Sequence, residues 1–449
     1  MRKISKQTWG WALYDWANSA FAVSILAIVY QLYFKTRLAT SGVDGDGNLV
    51  EAVTLPFGWT IGSEALWPLV VAVSMVLVVL ITPVVGAVAD YAGKKKSFLF
   101  FFCALGASAT SLMVLLTVGM WKLGILLFVV ANVSFVAGNV VYNGLLVDVT
   151  DSEEEVAFVS GFGWALGYLA SFLVLALSLV LLWFEIPSAD GAYRLSIFGA
   201  GLWWALFAIP TFLWVKERTQ PQALPEGESL LSVGFSQLKK TARELRLLPQ
   251  LVLFLAAFFL YNDGIQTIIS QGTNFADEVL QMSKTEIVLV FLMIQVVAFL
   301  GSLLFIRVER RIGTKTALVS ALTVWVALIG WAFVMHDSRE FWVLGFMGGL
   351  VLGVSQSASR TIYAWMIPPE QAAEFFSLYA IVGKVASVIG PFLFFLGALF
   401  ASRLANVPLV NSMALAVLPL FIMVLVGLGL LLKVDIEKGR AEVSARKLG

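Results

Sequence analysis

Four charged residues stand inside long apolar stretches of this 449-residue chain. They are two acids, Asp15 and Asp263, and two bases, Arg360 and Lys384. A charge at the centre of a membrane helix costs about 2.5–3.5 kcal/mol, so such a residue is a functional candidate by default. Carboxylates bind ammonium groups, and basic side chains bind carboxylates. The four residues therefore suit a zwitterionic ligand.

The position of each charge along its apolar run divides the four residues into a deep pair and a pair near helix ends. Asp263 lies 13 residues beyond Gln250 and Lys384 lies nine residues into its run, which places them about 20 Å and about 14 Å along a helix. We expect a substrate or coupling role for both, with a structural ion pair as the alternative. Asp15 and Arg360 each lie about 9 Å from a helix end, where Asp15 could reach back to that end and Arg360 could extend to the membrane interface. For these two, a structural ion pair and a transport role both remain open.

Polar side chains accompany the charges at helical spacing. Asn18 follows Asp15 by three residues and Gln266 follows Asp263 by three, so each pair shares one helix face. Asn139 and Asn143, spaced by four residues, share a face of another apolar run, as do Gln356 and Arg360. Interhelical hydrogen bonds are the alternative explanation for the Asn and Gln side chains. The residues that we predict to bind substrate or a coupling ion are Asp15, Asn18, Asn139, Tyr142, Asn143, Asp263, Gln266, Gln356, Arg360 and Lys384.

The composition requires a membrane around the elements that hold these residues. Hydrophobic residues make up 59% of the chain and charged residues 13%, against about 25% charged in soluble domains. The mean hydropathy is +0.89. The apolar runs predict an all-α membrane protein with twelve transmembrane helices of about 20 residues. The predicted spans are 9–34, 65–89, 97–119, 122–147, 156–183, 195–215, 250–272, 286–306, 316–335, 341–366, 375–400 and 408–432.

Several partners are excluded by composition. A net charge of +1 is no footprint for nucleic acid. One histidine and one cysteine nearly exclude a zinc site built from nitrogen and sulfur ligands, and the chain lacks a P-loop for ATP. We therefore expect no metal and no cofactor, and we expect a monomer that contacts membrane lipid and a small-molecule substrate.

Basic residues predict the orientation of the chain. When the N-terminus is placed inside, most Lys and Arg fall in the segments that lie on the same side of the membrane as the N-terminus. Since such segments face the cytoplasm, we expect both termini inside a bacterial cytoplasmic membrane. The longest inner segment, 216–249, contains a basic amphipathic helix.

That segment divides the chain into two predicted halves. They are an N-terminal half (1–215) and a C-terminal half (250–432), joined by the linker 216–249 and followed by a tail (433–449). The pattern Gly167-Tyr168-Leu169-Ala170-Ser171 returns as Gly383-Lys384-Val385-Ala386-Ser387 in the other half. A duplicated six-helix unit predicts a transporter with its site between pseudo-symmetric halves.

The loop between the second and third spans carries a recognisable pattern. Gly86, Asp90, Gly93, Lys94 and Lys95 match the G-x-x-x-D-x-x-G-[RK]-[RK] loop of major facilitator transporters. Glycines permit close helix approach and a tight turn, and an aspartate at a helix end can bind a helix terminus or a basic residue. We predict that these five residues form a conformational gate.

The corresponding loop of the second half is degenerate. It has Arg310 where the first loop has Asp90. Any latch in that loop must therefore use Glu309 or differ from the first.

Specific segments from residue 14 to residue 391 closely resemble the unknown-major-facilitator family of bacterial permeases, which is related to the fungal vacuolar amino-acid effluxer of autophagy. The resemblance implies the major facilitator fold, in which spans one, four, seven and ten line the cavity. It also implies transport, with amino acids as a candidate cargo. The segments are Tyr14-Asp15-Trp16-Ala17-Asn18-Ser19-Ala20-Phe21, Tyr142-Asn143 with Leu145-Leu146 and Asp148, Ser160-Gly161-Phe162-Gly163-Trp164-Ala165-Leu166-Gly167-Tyr168, Tyr261-Asn262-Asp263-Gly264-Ile265-Gln266-Thr267-Ile268-Ile269, Ser357-Ala358-Ser359-Arg360, Pro368, Glu374-Phe375-Phe376, Gly383-Lys384 and Gly390-Pro391.

The resulting hypothesis is a secondary active transporter, not an enzyme. It would export a small polar metabolite, such as an amino acid or small peptide, by alternating access coupled to protons, with Asp263 as a candidate proton carrier. One alternative is a polytopic membrane enzyme acting on lipid or glycan, for which the acidic run from Asp148 to Glu155 is the candidate site. We interpret that run instead as a solvated loop followed by acids at a helix start. The other alternative is a receptor that binds without transport.

Overall fold

The computed structural model describes residues 4–42, 49–55, 58–221, 229–278, 280–403 and 417–446. Within these ranges the chain is mostly helical, as long apolar runs dictate in lipid, where a helix satisfies its own backbone groups. One short antiparallel hairpin pairs β1 (Ala52–Thr54) with β2 (Thr60–Gly62), and Val53 lies opposite Ile61.

The chain folds into two compact units. The first takes its described residues from 1–149 and 166–234, and the second takes them from 150–165 and 235–449. The helices of the first unit are α1 (Lys6–Phe21), α2 (Val29–Tyr33), α3 (Ser63–Tyr91), α4 (Lys95–Leu112), α5 (Trp121–Gly144), the larger part of α6 (Glu153–Trp183), α7 (Ala189–Phe207) and α8 (Ile209–Trp214).

The second unit begins with the first residues of α6. The basic helix α9 (Leu230–Glu244) crosses the division between the units, and its Lys239, Lys240 and Arg243 are exposed. The remaining helices of the second unit are α10 (Pro249–Glu278), α11 (Lys284–Ile312), α12 (Thr314–Ala332), α13 (Ser338–Trp365), α14 (Ala372–Arg403), α15 (Leu418–Lys433) and α16 (Ile436–Arg446).

Helix starts in the second unit follow local capping chemistry. Ser283 and Glu286 form a capping box at the start of α11, and Asp337 and Glu340 form one at the start of α13. Each box satisfies backbone N–H groups that a helix start leaves without partners. The loops before these helices therefore end at defined residues.

The number of membrane helices agrees with the sequence. Across the described ranges, eleven helices are long and apolar enough to span a membrane, and α15 with α16 provides a further candidate at a bend of 62°. The predicted span 408–432 begins outside the described residues. The all-α membrane class is confirmed.

The first membrane helix is not a continuous α-helix. Two π-helical segments, Ala22–Ala27 and Phe34–Leu38, flank α2. The hydroxyl groups of Tyr30 and Tyr33 donate to backbone carbonyl groups of α5 and of the turn before it, at 2.7 and 2.8 Å. The predicted span 9–34 therefore extends further, and its second part is anchored by tyrosines.

Candidate functional site

Asp263 is fully buried, with no exposed surface. Its Oδ1 accepts a hydrogen bond from the Gly390 backbone N–H at 3.0 Å and one from the Thr267 hydroxyl at 3.4 Å. Its Oδ2 is buried and has no hydrogen-bond partner among the described residues. Within that part of the chain no Lys or Arg lies within salt-bridge distance of Asp263, so the alternative of a structural ion pair for Asp263 is not met among the described residues.

The contact between Asp263 and α14 depends on a glycine. A Cβ atom at Gly390 would overlap the Thr267 hydroxyl and the Asp263 carboxylate. Pro391 follows directly inside the helix, where it cannot donate a backbone hydrogen bond. The absence of a side chain at Gly390 therefore lets the backbone of α14 approach the Asp263 carboxylate closely.

Gly390→Ala tests this fit. We expect it to destabilise the protein by about 1–3 kcal/mol, because a methyl group is forced into a filled space. The measurement is the melting temperature of the purified protein in detergent. Gly429→Ala on α15 is the matched control, since no atom of the described residues lies within 4 Å of its added Cβ. Equal melting temperatures of the two variants would contradict the close contact.

A polar network joins α10 to α13 beside Asp263. The Gln356 Nε2 donates to the Asn262 Oδ1 at 3.2 Å, and the Tyr261 hydroxyl lies 2.6 Å from the Ser359 hydroxyl. Gln356 was predicted as a site residue, but Asn262 was not. The adjacency of Asn262 to Asp263 was the available signal, although consecutive residues on a helix do not share a face.

Arg360 is fixed within the second unit. Its Nε donates to the Ser160 hydroxyl at 3.0 Å and its Nη2 donates to the Ser160 carbonyl at 2.8 Å. Its guanidinium lies 5.4 Å from the ring centroid of Trp164. Since Arg360 is only 4% exposed, the alternative that it extends to the membrane interface is wrong. Ser160 and Trp164 belong to a segment that carries the family resemblance, but the sequence does not indicate that they contact Arg360.

Lys384 and Gln266 are half-buried residues of the same unit. Lys384 follows Gly383, whose added Cβ would lie 3.6 Å from the ring of Phe258 and 3.9 Å from Asn262. Tyr379, one turn earlier on α14, stacks on Phe258 with ring centroids 4.2 Å apart. This face of α14 therefore packs on the face of α10 that carries Asn262.

The first unit has its own polar cluster. The Asn18 Nδ2 donates to the Asn139 Oδ1 at 2.7 Å, an interhelical hydrogen bond that joins α1 to α5. Asp15, one turn before Asn18, is half-buried, and its backbone carbonyl accepts from the Ser19 hydroxyl at 2.6 Å. The structure therefore brings together the predicted residues Asn18 and Asn139.

Tyr142 and Asn143 end α5 beside this cluster. The Tyr142 ring stacks on Trp11 at 4.3 Å and is tilted against Tyr14 at 4.9 Å. The Trp11 Nε1 donates to the Tyr142 carbonyl at 3.0 Å. Tyr142 is fully buried and Asn143 is half-buried, so packing of α1 on α5 accounts for the buried ring.

The predicted gate loop contains a buried ion cluster. Lys95 has no exposed surface, and its Nζ lies 3.3 Å from Asp90 and 3.0 Å from Asp148. The same Nζ donates to the Thr219 hydroxyl at 2.8 Å. Gly93 makes the turn with a positive φ of 57°, a conformation that favours glycine. Of the other gate residues, Gly86 lies on α3 and Lys94 is exposed.

Burial of Asp148 corrects the interpretation of the acidic run. We predicted a solvated loop from Asp148 onward, whereas Asp148 is 4% exposed and pairs with Lys95. Asp151, Glu153 and Glu154 are exposed. The reason for the error is that Lys95 is distant in sequence. No group of three or more potential metal-ligating side chains occurs among the residues that the structure describes.

The segment after α8 completes the gate cluster. The Glu217 Oε1 accepts from the Lys96 backbone N–H at 2.8 Å, and burial raises the pKa of the Glu217 carboxyl group. The Lys96 Nζ donates to the Val215 carbonyl at 2.7 Å. The start of α4 is thereby tied to the segment that leaves the first unit.

Comparisons with known proteins agree with this architecture. Residues 4–444 match the family model described as vacuole effluxer Atg22 like. An uncharacterized MFS-type transporter, YxiO, of Bacillus subtilis is 32% identical over 88% of each chain. Autophagy-related protein 22 of Eremothecium gossypii is 28% identical over 87% of this chain and 84% of the relative. The crystal structure of the human organic anion transporter MFSD10 (TETRAN) superposes with a TM-score of 0.65 at 15% identity, over 95% of this chain and 98% of that one, and it therefore shows the same fold.

Proposed function

Since the chain belongs to the family of Atg22-like vacuole effluxers, we propose that it is a secondary active transporter that exports amino acids or small peptides by alternating access, driven by protons. The family and the multi-pass major facilitator fold are those of transporters. The cargo and the coupling ion are the proposed part. In this proposal the two pseudo-symmetric halves, 1–215 and 250–432, are the parts that move during the transport cycle.

The observation that carries the proposal is the environment of Asp263. Burial without a basic partner makes the charged form of a carboxylate costly. In the part of the chain that the structure describes, Asp263 has no such partner and its Oδ2 accepts no hydrogen bond, so this oxygen can hold a proton. The amide of Gly390 and the hydroxyl of Thr267 hold the other oxygen in place. Asp263 would therefore gain and lose a proton whenever the transport cycle opens it to water.

The remaining polar residues supply recognition of a zwitterion. Lys384 and Arg360 would attract the substrate carboxylate, and Asp15 would attract its ammonium group. The predicted amides and Tyr142 would hydrogen-bond to the polar atoms between these charges. Arg360 would act while held by Ser160, so its guanidinium is positioned before substrate arrives.

Lys384→Ala tests the recognition step. We expect affinity for amino-acid substrate to fall by about tenfold, or 1.4 kcal/mol, with the protein still folded, because a charge-assisted contact is lost. The measurement is substrate counterflow in proteoliposomes as a function of concentration. Lys433→Ala is the matched control, because Lys433 is exposed at the end of α15. Unchanged affinity of the Lys384 variant would remove this residue from the binding site.

The same counterflow assay separates transport from its alternatives. A receptor would bind substrate without exchanging it across a sealed vesicle. An enzyme acting on lipid or glycan would convert its substrate chemically, which mass spectrometry of the recovered substrate detects. Exchange of unaltered amino acid would support the proposed function, and binding without exchange would overturn it.

The proposed orientation places both termini on the inner side of a bacterial cytoplasmic membrane, with the protein as a monomer. Most Lys and Arg lie in the segments that this orientation puts inside. We expect reporters fused after Gly449 and inserted within 35–64 to lie on opposite sides of the membrane. Reporters found on one side would contradict the orientation and the even number of spans.

A further inference from the structure

A pocket lies at the end of the second unit where α6 begins, α11 meets α12 and α16 packs. Its volume is about 370 Å³. It is separate from the predicted site residues, none of which lines it. The lining residues are Glu153, Glu154, Ala157, Phe158, Ile306, Glu309, Arg310, Gly313, Thr314, Lys315, Thr316, Trp365, Ile436, Glu437 and Arg440.

Two of the three cations that line the pocket are paired with carboxylates. The Arg440 guanidinium bonds to Glu153 at 2.5 Å and to Glu437 at 2.9 Å. The Arg310 Nε lies 3.3 Å from Glu154. Each guanidinium also lies over an aromatic ring of the pocket wall, with Arg440 4.9 Å from the Trp365 centroid and Arg310 5.6 Å from that of Phe158. These pairs satisfy three of the four carboxylates.

The third cation, Lys315, is bonded to backbone atoms. Its Nζ donates to the Leu432 carbonyl at 3.0 Å and to the Val434 carbonyl at 2.6 Å. These carbonyl groups belong to the last turn of α15 and the link to α16, where a helix leaves acceptors without partners. Lys315 is therefore committed to the C-terminal end of a helix, where a cation is stabilising.

Glu309 is the carboxylate that remains. It is only 8% exposed, and its Oε1 is buried with no hydrogen-bond partner in the described part of the chain. Thr314, at the start of α12, lines the same pocket. No Lys or Arg of the described residues lies within salt-bridge distance of Glu309. The pocket thus holds one more negative than positive group, and the excess is the most buried one.

Hydrogen bonds and close packing hold α16, which forms one wall of the pocket, in place. The Glu442 carboxylate of α16 accepts from the Gln250 backbone N–H at 3.1 Å, and the Gln250 side chain accepts from the Asp435 backbone N–H at 2.8 Å. A Cβ atom at Gly439 would overlap Met366, so α16 packs closely on the end of α13. The wall that α16 provides is therefore fixed on α10 and α13.

We propose that this pocket binds a small primary ammonium compound, with its N–H groups directed to the free Glu309 oxygen. A compact cation with several N–H donors matches a buried carboxylate oxygen and the Thr314 hydroxyl. The volume admits a molecule of a few carbon atoms. The site would sense an amine at this end of the molecule, and it stands independently of the proposed transport cycle.

Calorimetric titration of n-butylammonium chloride into the purified full chain in detergent tests the proposal. We expect saturable binding of butylammonium, and no saturable binding of n-butanol or of potassium chloride. The alcohol has the same carbon chain without the charge, and potassium has the charge without N–H donors. Absence of saturable butylammonium binding, or displacement of butylammonium by an equal concentration of potassium, would overturn the proposal.

Isosteric variants locate the bound amine. We expect Glu309→Gln to weaken butylammonium binding by about tenfold, because a charge-assisted hydrogen bond is lost, and Thr314→Val to weaken it less. Glu437→Gln, on the exposed rim, is the matched control and should change the affinity by less than about twofold, as expected of a screened surface charge. Asp263→Asn should leave binding unchanged. Loss of binding in Asp263→Asn, with retention in Glu309→Gln, would place the amine elsewhere and overturn the assignment.

A free amine and the headgroup of phosphatidylethanolamine share this chemistry. Competition by short-chain phosphatidylethanolamine, but not by phosphatidylcholine, whose nitrogen has no N–H group, would identify a lipid as the source. Competition by neither lipid would identify a soluble amine. None of these measurements requires transport, so failure of the proposed transport cycle and failure of this site are distinguishable.

Discussion

Asp263→Asn should abolish accumulation of substrate against its gradient while leaving substrate counterflow in place. Asparagine keeps the size of the side chain and an oxygen that can accept from the Gly390 N–H and the Thr267 hydroxyl. It cannot titrate, so the cycle would proceed without carrying a proton. The measurement is gradient-driven accumulation beside counterflow, both in proteoliposomes of the same protein content.

The control for this experiment is the same substitution, Asp to Asn, at an exposed position. Asp337 caps α13 at an exposed position, and asparagine is an equally good cap. Asp337→Asn should therefore retain both activities. Retained accumulation in Asp263→Asn, with an unchanged dependence on pH, would remove Asp263 as the proton carrier and leave Asp15 as the next candidate. Loss of both activities with folded protein would place Asp263 in substrate binding.

Lys95→Met should cost about 3–5 kcal/mol of stability, because removing one member of a buried ion cluster leaves uncompensated charge behind. Asp90 and Asp148 both face the Lys95 ammonium group, and both are almost fully buried. We expect a large loss of folded protein and a clear drop in melting temperature in detergent. The yield of monodisperse protein and its melting curve measure the effect.

The neighbouring lysine provides the matched control. Lys94 is exposed where Lys95 is buried, so Lys94→Met changes the same charge in the same turn without stranding a carboxylate. The double variant Lys95→Met with Asp148→Asn should recover part of the lost stability, since one stranded charge is removed. Similar melting temperatures for the Lys94 and Lys95 single variants would show that the cluster does not stabilise the unit.

Those features that depend on composition and spacing could be predicted from the sequence. Apolar run length predicts membrane helices directly. The amide contact between Asn18 and Asn139 is of the interhelical kind that the sequence analysis gave as the alternative to substrate binding. The turn at Gly93 and the acid at Asp90 followed from a local pattern, and the structure gives that acid a basic partner. Each of these predictions rests on a few neighbouring residues or on a period.

Other features depend on atoms that are far apart in the chain. Nothing local shows that the Gly390 amide donates to Asp263 or that Ser160 receives Arg360, since both contacts form only when helices pack. The burial of Asp148 was missed for the same reason, because an acid in an acidic run is ordinarily solvated. The π-helical segments of the first span leave no signal in an apolar sequence that would form a regular α-helix equally well.

The wide turns of that first span have a consequence for register. A π-turn holds more residues than an α-turn, and one added residue rotates every later side chain by about 100° around the helix axis. Asp15 and Asn18 precede the segment Ala22–Ala27, and Tyr30 and Tyr33 follow it. The facing direction of the tyrosines is therefore set by the number of residues in that segment, so a deletion there would act on this helix as a rotation and only slightly as a change of length.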